Sequence, residues 1–288
     1  MDKTLSRDGT AIAYRRRGEG PPVILVGGAL STAATEAPLA RLLAPHFEVV
    51  TYDRRGRGSS GERGPYAVDR EIEDLGALVT AVGGRASVFG VGAGGALALE
   101  AQAAGLPVDL LAVYEPTYTP GASGAQFKAC CTARLHRLLS AGDRGGAVEL
   151  FLSVTGVPND MITRMRRAPM WSGLVSLAHT LAYDDALLGD GSIPAERFAS
   201  VTARTLVVCG GSSPTRARLA TRTLADTLPR ARHRTLTGQT RELAPQAVAP
   251  VLAEFFGRDV YASQASWARS LPPPRSSPHG HARTGSRT

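Results

Sequence analysis

Apolar positions along this chain fall into two alternating rhythms. Val23-Ile24-Leu25-Val26 is a continuous apolar run too short for a helix; it follows Pro21-Pro22, ends at Gly27-Gly28-Ala29, and predicts a strand buried on both faces. Before it, residues 4–16 alternate weakly around Gly9, which predicts an antiparallel hairpin with Ile12 and Tyr14 on one face. After it come a helix carrying Leu39, Leu42 and Leu43, a strand over 47–52, and a helix over 69–82 with Ile72, Leu75, Leu78 and Val79 in one stripe. Val88-Phe89-Gly90-Val91 then runs into a glycine-lined turn and the helix-forming run Ala96-Leu97-Ala98-Leu99-Glu100, followed by a strand over 110–114 closed by Glu115-Pro116. Strands alternating with amphipathic helices imply βαβ units and a mostly parallel sheet.

The rhythm changes between about 117 and 199. Helices are predicted over 126–140, over 147–154, from Val157-Pro158 onward, and over 170–183, without strong strands between them. Such an insertion into an α/β rhythm predicts a helical cap over the sheet. Strand and helix then resume at 205–209, 215–228, 232–236 and 244–256. Beyond Arg258 the chain turns to Leu271-Pro272-Pro273-Pro274 and then Arg, Ser, Gly and His, with too little apolar content to pack. The expected division is a core of 1–117 and 200–257, a cap of 118–199, and a disordered Pro/Arg/Ser-rich tail of 258–288. No internal repeat is found.

Composition narrows the function classes. At 288 residues and 43% hydrophobic content the chain can bury a sizeable core. No apolar run is long enough to cross a bilayer and Met1-Asp2-Lys3-Thr4 opens no signal-peptide region, so a cytoplasmic protein without a membrane partner is expected. Cys130, Cys131 and Cys209 form neither a disulfide framework nor a paired metal-ligand spacing; no metal and no cofactor are expected. The formal charge of +8 comes almost wholly from arginine, with lysine only at Lys3 and Lys128, in a chain rich in Ala, Gly and Pro. With no recognised reading module beside it, that charge does not argue for nucleic acid.

Three motifs carry chemistry: Val26-Gly27-Gly28-Ala29 after the third strand, Tyr52-Asp53-Arg54-Arg55-Gly56-Arg57-Gly58-Ser59 after the fourth, and Gly90-Val91-Gly92-Ala93-Gly94 after the fifth. In this order and spacing they resemble the α/β-hydrolase fold over residues 3–257. The resemblance implies a mostly parallel central sheet flanked by helices, with the G-x-S-x-G nucleophile elbow at the last motif. It also implies a histidine in the loop Gly238-Gln239-Thr240-Arg241 and an acid in Gly210-Gly211-Ser212-Ser213-Pro214. The chain departs at all three places, with Gly92 for the serine, Arg241 for the histidine and Ser213 for the acid.

Substitutes elsewhere are weak. Ser87 lies inside the strand before the turn, Cys209 has no evident neighbour to lower its thiol pKa, and His233 and His179 lack the family's geometry for a base. Asp184, Asp185 and Asp190 close the cap without a histidine to orient. Arg241 is either a solvated loop residue or a fixed cation able to hold a carboxylate or enolate. A dinucleotide site at the elbow is disfavoured, because G-x-G-x-x-G is not met in the first βαβ unit and no acidic residue follows on a second strand end.

What the resemblance leaves intact is the pair of backbone donors of an oxyanion hole, Ala93 N–H and one from Gly28 or Ala29, which need no particular side chain. The leading expectation is a cofactor-independent, non-hydrolytic enzyme (elimination, isomerisation or cyclisation) acting on a small apolar carbonyl compound, with Tyr118, Met170, Trp171, Leu174, His179 and Tyr183 as cap-side walls. The alternatives are a catalytically dead binding or scaffolding protein, and a serine-type hydrolase whose catalytic residues lie elsewhere.

Overall fold

The computed structural model describes residues 1–119 and 121–270, with 258–270 described by backbone alone. Eight strands form one sheet: β1 (Asp2–Leu5), β2 (Ala11–Arg17), β3 (Pro22–Val26), β4 (Glu48–Tyr52), β5 (Ala86–Val91), β6 (Val108–Tyr114), β7 (Arg204–Gly210) and β8 (Ala231–Leu236). Their order is β1-β2-β4-β3-β5-β6-β7-β8. β2 pairs antiparallel with β1 and with β4, and every other pair is parallel. This is the α/β-hydrolase fold, and the hairpin around Gly9 is its antiparallel edge.

The continuous apolar runs are buried on both faces, as parallel strands with helices on either side must be. Ile24, Val26, Val88 and Val113 face one core cluster with Leu75 and Leu78 of α2 (Val68–Ala81) and Leu97 of α3 (Ala93–Ala103). Val23, Leu25, Phe89 and Ala112 face the other, with Leu39 and Leu43 of α1 (Ala33–Leu43) and Leu252 of the last helix (Pro245–Ser270). That helix runs past Phe256, where the apolar pattern ends, because no proline interrupts the chain between Pro250 and Pro272. The remainder of the expected tail, 271–288, lies outside the described residues.

Between β6 and β7 the chain forms α4 (Ala122–Ser140), α5 (Arg144–Val154), α6 (Asn159–Arg166), α7 (Met170–Ser176), α8 (Leu181–Leu188) and α9 (Ala195–Phe198). The single helix expected over 170–183 is broken by a 3-10 turn at Ala178–Thr180. Ser176 and Thr180 hydroxyls bond back to the carbonyls of Gly173 and Leu177, competing with the helical ladder at the break. The inserted helices have a core of their own, in which Leu135, Val148, Leu150, Ile162 and Leu181 surround Leu30 of the β3–α1 loop. α10 (Thr215–Thr227) follows β7, and the last helix completes the series as α11.

A buried ion network joins this insertion to the sheet. Arg54 makes a two-pronged bond to Glu71 of α2 and a third bond to Asp184 of α8, and Arg57 grips both Asp184 oxygens at 2.9 Å. Burial alone would raise the Glu71 carboxyl, but the facing Arg54 guanidinium outweighs it and the pKa falls below its ordinary value. Asp53 accepts the Ala33 and Ser59 N–H groups, tying the start of α1 to the β4–α2 loop. The Asp53 to Ser59 motif is therefore structural, and it fixes the loops that frame the site.

Candidate active site

The β5–α3 turn has Gly92 at its tip, with φ 54° and ψ −122°, a conformation that glycine adopts without the strain a side chain brings. A Cβ placed there would have Thr117 Oγ1, 3.6 Å away, as its nearest contact, an ordinary van der Waals distance. The next glycine is fixed by crowding: a Cβ on Gly94 would collide with the Val26 and Gly27 carbonyl oxygens. α3 is thereby pressed against the β3–α1 loop. Ala93 is the first residue of α3, so its N–H has no intrahelical partner. On the facing loop the Gly28 carbonyl accepts Arg57 Nη1 and Ser31 Oγ, which directs the Ala29 N–H of the same trans peptide the opposite way. Leu30 comes next with φ 54°, held in that strained state by the cap cluster around it.

Across the sheet edge, Glu115 ends β6 in a second strained conformation, φ 45°. It is buried; its Oε1 accepts Gly210 N–H at 2.8 Å and Ser213 Oγ at 2.5 Å, while its Oε2 has no partner among the described residues. Ser213, the residue at the expected acid position after β7, thus serves a carboxylate supplied by β6. Arg241, in the loop between β8 and α11, donates Nη2 to Thr117 Oγ1 at 3.4 Å. Burial draws its pKa below the ordinary value, the Glu115 charge opposes that fall, and the nearby Arg216 charge adds to it.

Glu115, Thr117, Tyr118, Phe127, Arg216 and Arg241 line one cavity of about 290 Å³, whereas Gly28, Ala29, Gly92 and Ala93 of the expected site are outside its lining and are reached through Thr117, whose Oγ1 is 3.6 Å from the place of a Gly92 Cβ. A smaller lobe of about 120 Å³ shares Thr117, Phe127 and Val154 with it and runs on between Leu135, Leu150 and Leu181. Cavity and elbow are both at the carboxyl ends of the parallel strands, where open α/β sheets bind ligands, with Thr117 between them. Among the described residues no group of three or more His, Cys, Asp or Glu side chains is placed to hold a metal ion, and no helix is long and apolar enough to cross a membrane.

The model of the alpha/beta hydrolase family matches residues 23–251. The chain belongs to that family. Among solved members, an alpha/beta hydrolase from Sphaerobacter thermophilus is 53% identical, with a TM-score of 0.81 over 88% of this chain and 100% of that one. A hydrolase from Pseudomonas aeruginosa, 24% identical, has a TM-score of 0.73 over 89% and 98%, and shows the fold alone. The uncharacterized hydrolase YraK of Bacillus subtilis is 35% identical over 101 residues, a match spanning 34% of this chain and 37% of that protein.

Of the six cap-side walls expected from the sequence, the structure brings only Tyr118 to the cavity. Met170 and Leu174 line a separate surface depression with Gly56 and Gly58. Trp171 packs into the cap's own cluster. Tyr183 stacks on Tyr66 with ring centroids 4.1 Å apart, and His179 stands edge-on to Tyr183 with Glu62 3.9 Å away. His179 lies in the break before α8 and Tyr183 beyond it, and both meet the β4–α2 loop, outside the cavity lining. Ser87 pairs with Val23 inside the sheet. Cys209 and His233 meet at 3.5 Å, but beside Thr221 of α10, and neither lines the cavity. Asp184 and Asp185 border the lobe, already bound to arginines and to Lys128 respectively, and Asp190 bonds Ser192. The residues not anticipated are Glu115, Thr117, Phe127 and Arg216. An acid directly at the carboxyl end of a parallel strand was the one sequence signal for them.

Proposed function

We propose that this protein is a cofactor-independent enzyme that isomerises a carbonyl compound, or eliminates a group from it, by proton transfer and without an acyl-enzyme. The observation that carries the reading is Glu115: a carboxylate in the cavity wall whose Oε2 is buried without a hydrogen-bond partner and would have to be uncovered to meet a substrate, near an elbow whose tip, Gly92, has no nucleophile to offer. In this reading Gly92 and Arg241 stand where hydrolytic relatives carry serine and histidine, and Glu115 supplies the acid that Ser213 does not. The substrate carbonyl oxygen sits against Ala93 N–H and the N–H of Ala29 or Gly28.

Glu115 Oε2 takes a proton from the carbon next to the carbonyl. The C–H electron pair forms a carbon–carbon double bond and the carbonyl pair moves onto oxygen, giving an enolate that the amides hold; a single donor of this kind is worth about 2–4 kcal/mol in the transition state. Return of the proton to a different carbon completes an isomerisation, and departure of a leaving group from the β-carbon completes an elimination. Base and donors belong to loops fixed by Ser213 and Arg57, so once Oε2 is uncovered the charge is met without further reorganisation.

The test is deuterium wash-in next to the carbonyl of oxo compounds in D₂O, followed by proton NMR. The wild type exchanges above buffer and Glu115→Gln does not. A hydrolytic second reading is favoured by the Thr117 hydroxyl, 3.6 Å from where a Gly92 side chain would begin, and by the hydrolase names of the relatives. There Glu115 activates water against the same carbonyl, and ¹⁸O from water enters the acid product. Binding with neither exchange nor hydrolysis identifies a ligand-binding protein.

A further inference from the structure

Arg241 is half-buried in the cavity wall, its one hydrogen bond among the described residues is the long contact to Thr117, and none of their carboxylates lies within ion-pair distance of it. Glu115 makes no ion pair with it, although its charge is near enough to oppose the fall of the Arg241 pKa. Most of the five Arg241 donors are therefore left for solvent or for a bound anion, and a planar guanidinium can hold a carboxylate through two parallel bonds. Arg216 stands on the same wall, bonded to the Val154 carbonyl and lying 5.9 Å from the Phe127 ring centroid, so it adds positive charge without supplying a counter-ion.

The adjoining lobe has the opposite character. Leu135, Leu150 and Leu181 form its sides, and the charges at its border are already paired, Asp184 with Arg54 and Arg57 and Asp185 with Lys128. Thr117 joins the two regions and also faces the elbow tip: its Oγ1 is 3.4 Å from Arg241 Nη2 and 3.6 Å from the place of a Gly92 Cβ.

We infer that the cavity takes an oxo acid with an apolar body, its carboxylate on the forked donors of Arg241 with Arg216 nearby, its carbonyl over the elbow and its hydrocarbon part in the lobe. This rests on the proposed carbonyl chemistry and narrows its substrate from an apolar carbonyl compound to a carboxylate-bearing one. Because one hydroxyl touches both ends, carboxylate and carbonyl are separated by only a few bonds.

The experiment is titration calorimetry of the full chain with 2-oxooctanoate, 4-oxooctanoate, the methyl ester of each, and inorganic phosphate. At least one oxo acid binds, at least ~10-fold tighter than its ester, as expected for loss of a charge-assisted pair. Arg241→Gln abolishes that preference, Arg241→Lys restores part of it, and Glu115→Gln keeps the acid bound. Equal binding of acid and ester, phosphate binding more tightly than either acid, no acid binding at millimolar concentration, or a preference that survives in a folded Arg241→Gln protein each overturns the inference. The two readings fail separately: acid that binds without deuterium exchange overturns the proposed chemistry and leaves this ligand class standing, whereas exchange on a neutral ketone by a protein that rejects the acids does the reverse.

Discussion

Ser213, after β7, donates its hydroxyl to Glu115, at the end of β6, at 2.5 Å. The contact shows that the acidic group at this edge of the sheet comes from the neighbouring strand, and that the residue after β7 serves as its donor. Removing the donor leaves a buried carboxylate with Gly210 N–H as its remaining hydrogen bond. Ser213→Ala is expected to cost about 1–3 kcal/mol of stability, read from urea unfolding, with the fold unchanged by circular dichroism.

The cap is held down by charge. Asp184 in α8 accepts from both Arg54 and Arg57, and truncating it leaves the buried Arg57 guanidinium without a carboxylate while Arg54 keeps its pair with Glu71. Asp184→Ala should lose about 3–5 kcal/mol, and hydrogen exchange should rise first in α8 and its preceding turn. Protection that falls uniformly over the sheet instead would show that the network does not act as a cap anchor.

An added side chain at Gly92 meets only an ordinary contact, with Thr117 Oγ1 at 3.6 Å, so the proposed placing of the elbow can be tested by substitution. Gly92→Ser introduces a side chain at positive φ and should cost about 1–3 kcal/mol, with no clash at the Cβ. Combined with Arg241→His, with Glu115 as the acid, it is expected to hydrolyse short nitrophenyl esters above the background of the parent chain. A folded double variant with no gain would place the reacting centre elsewhere.

Glu36, inside α1, supplies a pH dependence of opposite sign to the usual carboxylate. Burial pushes its carboxyl from 4.5 up to about 7. Between those values the folded state holds a proton that the unfolded chain releases, so stability is greatest below the lower value and declines as pH rises toward the upper one, by about 3 kcal/mol in all. Glu36→Gln should remove this decline, seen as a melting temperature at pH 8 closer to that at pH 5. A parent chain that stabilises over the same range would contradict it.

Much of the scaffold is legible from local pattern. Val23-Ile24-Leu25-Val26 can only be a doubly covered strand, and Gly90, Gly92 and Gly94 mark a turn where side chains collide or strain. The site is less legible because its members meet through the third dimension. Glu115 reads as the polar end of an apolar strand, and nothing nearby in sequence announces the Ser213 donor. Arg216 reads as a surface charge in the first turn of an amphipathic helix, and only the cavity gives it a role. Trp171, His179 and Tyr183 are outside the cavity lining: the helix expected over 170–183 is broken by the 3-10 turn at Ala178–Thr180, and beyond it Tyr183 stacks on Tyr66. A helical repeat predicts which residues share a face, but a single change of helix type redirects that face.

Whether Glu115 moves the proton is decided by deuterium wash-in at the carbon beside the carbonyl of an oxo acid that calorimetry shows to bind. Exchange well above buffer is predicted in the wild type, with a loss of ~100-fold or more in Glu115→Gln at saturating acid, the size expected for removal of a general base. Exchange at the same rate in both proteins, or none from the bound acid in the wild type, would contradict the assignment of Glu115 as the base.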